Sequence, residues 1–318
     1  SIFQTNKTRG SFDLRVLLFN FGMLQFPGIV PIKINLTMIR SHLFLFLLFL
    51  CIGFGGCRHD KGTPDYKAYP EDVGKIVMTK CATSGCHNDR SKGAAGGLSM
   101  ESWDKLFEGG NGSASVIPFR HDYSTFFSYV NTYKDLGVTL VPTMPYNKPA
   151  LSKEEVLLLR DWINNGAPNK DGEIKFADDP KRKKFYVTNQ GCDVVTVFDR
   201  QTLLPMRYIN IGSSSGIESP HMIRISPDGD YWYVILLSGN YLEKYRTTDD
   251  RFIGKAFIGP GSWNTFVISS DSKTAYCIDL NSNGKICTVD LNTLNVVTQK
   301  GFAYPHGSAL NSSNDILY

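Results

Sequence analysis

The chain has 318 residues, 42% of them hydrophobic and 20% charged, with 29 Gly, 15 Pro and 7 Cys. That length suits about two domains, and so ordinary an apolar fraction excludes wholesale disorder. The net charge of +4 suggests nucleic acid at first, but five basic residues and one acid precede Cys57, and 29 of each sign follow. The part beyond the leader is neutral and offers no electrostatic case for DNA or RNA.

Residues 1–37 show no coherent pattern and read as upstream sequence carried in frame, not as a domain. Residues 38–57 are different. Arg40 sits near Met38, an apolar run follows from Leu43 to Ile52, and Gly53, Gly55 and Gly56 lead to Cys57. A basic start, a short apolar run and small residues describe a secretory signal. The run is too short to span a bilayer, which takes about 20 residues. The cysteine straight after the glycines resembles a bacterial lipoprotein signal. That resemblance implies lipidation at Cys57 and a membrane-anchored protein of the cell envelope, facing periplasm or cell surface. Phe54 stands where such signals usually carry Leu, so plain secretion is the alternative. Residues 58–68 read as a linker.

The chemically richest segment is Cys81-Ala82-Thr83-Ser84-Gly85-Cys86-His87. In c-type haem attachment two cysteine sulfurs form thioethers with the porphyrin, and the histidine next to the second cysteine ligates iron. Here that adjacency is present, but four residues separate the cysteines instead of two. A zinc site, a Cys81–Cys86 disulfide or chance are the alternatives for the motif alone. Downstream, Val141-Pro142-Thr143-Met144-Pro145-Tyr146 forms a Pro-rich loop with one thioether. Ser152 and Glu155 then make a capping box. Val156, Leu159, Trp162 and Ile163 recur at helical spacing until Gly166 and Pro168 stop the helix.

The order of attachment motif, methionine loop and capped amphipathic helix resembles a class I-like cytochrome c domain over residues 69–169. The resemblance implies a small all-α domain with one covalent haem c on Cys81 and Cys86. It makes His87 the proximal iron ligand and Met144 the distal one. His121 is the competing distal ligand, while Met78 and Met100 read as packing.

Residues 170–182 are a charged linker. From residue 183 to residue 318 the sequence repeats. Tyr186-Val187-Thr188-Asn189, Trp232-Tyr233-Val234 and Ala275-Tyr276-Cys277-Ile278 each lead into a second short strand. Tyr233 to Tyr276 is 43 residues and Tyr276 to Tyr318 is 42. Ser226-Pro227-Asp228-Gly229, Ser269-Ser270-Asp271-Ser272 and Asn311-Ser312-Ser313-Asn314 precede the later tyrosines as turns. This period predicts four-stranded propeller blades, and the motifs resemble the YVTN family of β-propellers. About three blades fit, so further blades are expected beyond Tyr318. His221, His306 and Asn264 fall at matching offsets and are weak candidates for a metal or proton-transfer site at the channel mouth; the commoner reading makes each a turn residue. Cys192, Cys277 and Cys287 read as small core residues, with a Cys277–Cys287 hairpin disulfide as an alternative.

Together these resemblances imply an exported haem c electron-transfer protein. Its propeller would dock a redox partner protein or bear a small redox substrate. The alternatives are an oxidoreductase with its active site in the propeller, and a surface-binding propeller protein.

Overall fold

The computed structural model describes residues 64–318, so the leader and Cys57 lie outside the described residues. Helix α1 (Glu71–Ile76) begins after Pro70, whose fixed φ suits a helix start, and its acidic first turn complements the helix dipole. Gly74 is required there, because a Cβ would stand 2.4 Å from Cβ of Tyr66. Helix α1 runs directly into a π turn, Val77–Cys81. Two short helices follow, α2 (Trp103–Leu106) and α3 (Thr125–Val130).

Helix α4 (Lys153–Asn164) carries both bonds of a capping box: Glu155 N–H donates to Ser152 Oγ and Ser152 N–H donates to the Glu155 carboxylate. The predicted stripe Val156, Leu159, Trp162 and Ile163 is its buried face. It packs on Val73, Val77, Trp103, Leu106 and Phe127. Between residues 64 and 183 there is no strand, only an isolated bridge from Gly110 to Ser113. The expectation of an all-α unit is met only coarsely: the helices are few and mostly short, and loops make up most of this region.

The rest of the chain is antiparallel sheet. The first sheet is β1 (Lys184–Asn189), β2 (Val194–Asp199) and β3 (Pro205–Asn210). The second is β4 (Pro220–Ile225), β5 (Tyr231–Leu236), β6 (Tyr241–Arg246) and β7 (Phe252–Phe257). The third is β8 (Trp263–Ile268), β9 (Thr274–Asp279), β10 (Gly284–Asp290) and β11 (Asn295–Phe302). Strands follow chain order within each sheet, as up-and-down meanders do, and β4 lies against both β1 and β8. This is a propeller-like arrangement. The first sheet departs from the four-stranded expectation. The residues ahead of β1 are charged and Pro-containing, without the alternation a strand needs, and they run as turns.

The repeated turns are built alike. Ser226 Oγ donates to Asp228 and Ser269 Oγ donates to Asp271, each at 2.6 Å. Successive turns also bond one another: Asp228 N–H donates to Ser272 Oγ, and Ser270 N–H to Asn314 Oδ1. Between the first two sheets, buried Asp250 accepts from Lys184 Nζ, Tyr186 OH and Trp232 Nε1, so its charge is paired and its lone pairs are used.

The helical region and the first sheet share one core. Val197 and Met206 are buried within the helical cluster, with Tyr186 and Ile209 packed against it. At its edge Tyr123 stacks on Tyr208 at 4.3 Å, and Arg120 donates to the Tyr208 carbonyl and to Asn210 Oδ1. Helical region and sheets should therefore melt together. Met206→Ala, at a position 2% exposed, is expected to cost about 2–5 kcal/mol. It should lower one common transition followed by tryptophan fluorescence and far-ultraviolet circular dichroism; two separated transitions would contradict a shared core.

Candidate functional site

The site starts from the π turn. A π turn carries one more residue per hydrogen-bonded ring than an α turn, and such turns recur at functional sites. It ends on Cys81, whose carbonyl accepts the N–H of His87 at 3.1 Å. The residues between form a small loop in which Cys86 N–H donates to the Thr83 carbonyl and Gly85 takes φ +80°, a conformation that favours glycine. Four intervening residues thus close back on themselves and bring both cysteines and His87 to one wall.

His87 Nδ1 lies 3.3 Å from the Leu98 carbonyl oxygen. A carbonyl only accepts, so Nδ1 carries the proton and Nε2 keeps its lone pair, the tautomer of a metal-ligating histidine with an outer carbonyl partner. Burial depresses the imidazole pKa below its usual value, with the Leu98 carbonyl acting the other way. Burial also raises the Cys81 thiol to about 12, helped by the nearby Cys86. Met100 N–H donates to the His87 carbonyl, so the Leu98–Met100 segment backs the histidine's own side.

A cavity of about 850 Å³ opens in front of this wall, within the range of cofactor pockets, about 300–1,000 Å³. Cys81, Cys86, His87 and Met100 line one part of it; Phe126, Tyr129, Val130, Pro142, Met144 and Pro145 line another. Met144 is held by its own N–H, which donates to the Tyr129 carbonyl at 2.9 Å. An apolar cavity carrying two thiols, an imidazole with a free Nε2 and a thioether has the donor set and the room for a haem c. Neither Cys81 nor Cys86 is in a disulfide. Among the described residues no three His, Cys, Asp or Glu side chains gather as a metal site, so a four-ligand zinc centre has no donor set there.

His121 is not part of this cavity. Its Nδ1 lies 2.8 Å from Asn164 Oδ1 on α4, and its ring stands edge-on to Phe127. The propeller candidates are linked instead of clustered. His221 Nδ1 donates to the Asn264 carbonyl at 2.6 Å, and Asn264 Nδ2 donates to the His306 carbonyl at 3.2 Å. Each bond runs from one repeat to the next. Asn264 Oδ1 is buried without a partner. Cys277 and Cys287 are cross-strand neighbours, fully buried and not joined in a disulfide, with thiols raised by burial. Cys192 is exposed, not a core residue.

One pairing at the site had no signal in the sequence. Lys80, on the cavity wall beside Cys81, donates to both carboxylate oxygens of Glu155 at 2.5 and 2.7 Å. Burial would raise the Glu155 carboxyl, but Lys80 and the Ser152 N–H outweigh it and leave the pKa below the usual value. Phe126 and Tyr129 were equally invisible, since an apolar residue in a short helix reads as ordinary core.

No protein-family model and no curated protein matches this chain. Solved structures resemble it in part. Hydrazine synthase of Kuenenia stuttgartiensis aligns with a TM-score of 0.38 at 21% identity, over 46% of this chain and 40% of that one. Dihydro-heme d1 dehydrogenase NirN in complex with DHE aligns with a TM-score of 0.35 at 18% identity, over 40% and 27%. A proposed 6-phosphogluconolactonase from Bacteroides uniformis aligns with a TM-score of 0.36 at 15% identity, over 42% and 43%. The chain thus spans less than half the length of each, and likenesses this distant say nothing of what it does.

The thiol environments are testable directly. In protein made without haem attachment, burial keeps the Cys81 thiol protonated and so poorly nucleophilic near neutral pH. Iodoacetamide should therefore modify exposed Cys192 first and Cys81 far more slowly, read by peptide mass spectrometry. Comparable rates would show that Cys81 is not buried as described.

Proposed function

We propose that residues 69–169 form a c-type cytochrome unit holding one covalent haem, and that the protein transfers single electrons. The observation that carries this reading is the convergence of Cys81, Cys86, His87 and Met144 on one apolar cavity of fitting size. In this reading Cys81 and Cys86 anchor the porphyrin through thioethers. His87, oriented by Leu98, offers Nε2 to iron, and Met144 offers Sδ from the facing loop. A haem held there would supply an Fe(II)/Fe(III) couple; with His87 and Met144 both as ligands it would favour electron transfer over oxygen chemistry, and the thioether would raise its potential. The sheets serve as the docking or substrate-bearing part. The shared core supports that role, because a partner bound to the first sheet is rigidly placed relative to the cavity. The chain is proposed to be exported and anchored by lipid on Cys57.

Two experiments test the haem assignment. Co-expressed with a haem-attachment system and then denatured, the polypeptide should retain haem through acid–organic extraction, and Cys86→Ala or His87→Ala should abolish normal assembly. Complete extraction of haem from the wild type would refute covalent attachment. The ferric protein should show the far-red thioether-to-iron charge-transfer band, lost in Met144→Ala and kept in His121→Ala. The opposite pattern would transfer the distal role to His121.

A further inference from the structure

We infer that Lys80 and Glu155 are a positioning pair that holds the methionine-bearing loop across the cavity and so sets how firmly Met144 occupies the distal position; the inference rests on the haem reading above. The loop has little of its own to hold it. Val141 is 85% exposed and Tyr146 61% exposed. Its fastenings to the body of the protein are two backbone bonds to α3, Leu140 N–H to Ser128 and Met144 N–H to Tyr129, and the packing of Met144 itself against the helical core. No side chain from residue 139 to residue 150 makes a hydrogen bond. The loop therefore depends on what anchors its ends.

At its C-terminal end the loop passes through buried Leu151 into the capped start of α4. Glu155 does two things there. One carboxylate oxygen closes the capping box on the Ser152 N–H, and both oxygens receive the Lys80 ammonium. Lys80 is 75 residues away in sequence and directly precedes Cys81. The pair thus joins the cysteine-bearing wall to the end of the loop carrying the facing ligand. Lys153, bonded to Asp135 at 2.6 Å, closes the base of the same loop in parallel. The Lys80 and Glu155 side chains are only 38% and 25% exposed, less than those of Lys153 and Asp135. Their attraction is accordingly less screened.

Glu155 does not line the cavity and Lys80 lines it beside Cys81, so the effect expected is on the position of Met144. The readout is competition for that position by imidazole, titrated into the ferric, haem-loaded full chain and followed in the Soret band. Glu155→Gln keeps an acceptor for the capping box but removes the charge; Lys80→Gln removes the other partner. Each is expected to raise imidazole affinity about two- to fivefold. The double variant should do no more than either single one, because both remove the same interaction. Lys170→Gln, which alters net charge without touching the cavity wall or the loop, should leave affinity unchanged. Added salt should raise affinity in the wild type more than in the variants, a comparison available even if one variant folds poorly. Unchanged imidazole affinity in both single variants, with haem still covalently attached, would overturn the positioning pair. Haem lost from the wild type on denaturation would instead overturn the underlying reading.

Discussion

An irregular chain wrapped round an apolar cavity has to satisfy its buried N–H and C=O groups without the ladders of regular structure. That constraint shapes residues 64–183 more than any helix does. The solution is a set of long-range bonds, each joining two loops or a loop and a helix. Trp103 N–H reaches the Lys67 carbonyl, Phe119 N–H reaches Ile163, Phe126 N–H reaches Ser115, and Lys170 N–H reaches Ala68. Tyr69 OH donates toward the carbonyls of Met100 and Ser102, and Trp103 Nε1 donates to Ala167. The two bonds nearest the chemistry, Met100 to His87 and Met144 to Tyr129, belong to the same set. The cavity walls are therefore positioned by backbone bonds whose partners lie far apart in sequence.

The join to the sheets follows a different logic. Apolar burial supplies most of it, with Val197 and Met206 inside the helical cluster. Ala114, Ile117 and Leu204 form a second contact beside the Tyr123–Tyr208 stack. Arg207 lies over Phe119 and donates to the Lys175 carbonyl. Burial lowers its pKa to about 10, with Asp250 acting the other way. A guanidinium so placed costs desolvation, and carbonyl acceptors and an aromatic face offset part of that cost. It is a specific, not a sliding, contact.

How much of this could be read from sequence depends on how local each feature is. The capping box and buried stripe of α4 were legible because both are set by residues within a few turns. The sheets were legible because the turn chemistry repeats: Ser226 and Asp228 bond as Ser269 and Asp271 do, so one motif predicts each copy. The first sheet has three strands where the period predicts four, and Tyr186, unlike the later tyrosines, has no repeated turn ahead of it. At the site, cysteine–histidine adjacency marked one wall and the Pro-rich methionine loop marked another. Lys80–Glu155 left no trace because it joins residues far apart with no motif at either end, and Phe126 and Tyr129 left none because apolar positions in a short helix read as ordinary core. The links from His221 to Asn264 and from Asn264 to His306 show the converse: the three residues stand at nearly equal spacing in the sequence, but spacing alone does not say that their bonds run along the repeats.

Those repeat-to-repeat bonds carry a consequence for how such a chain changes over time. The second sheet is tied to the third turn to turn through Asp228 and Ser272 and strand to strand through His221 and Asn264, and the third to the turn after it through Ser270 and Asn314. Free energy held in nearest-neighbour terms accumulates unit by unit, as in a one-dimensional lattice. Damage to one turn is then felt by its own sheet and the adjoining ones, and fades beyond them. Duplication or loss of a unit like the second or third sheet would preserve these contacts, whereas the first sheet, which shares its core with the cavity region, is held by contacts of another kind.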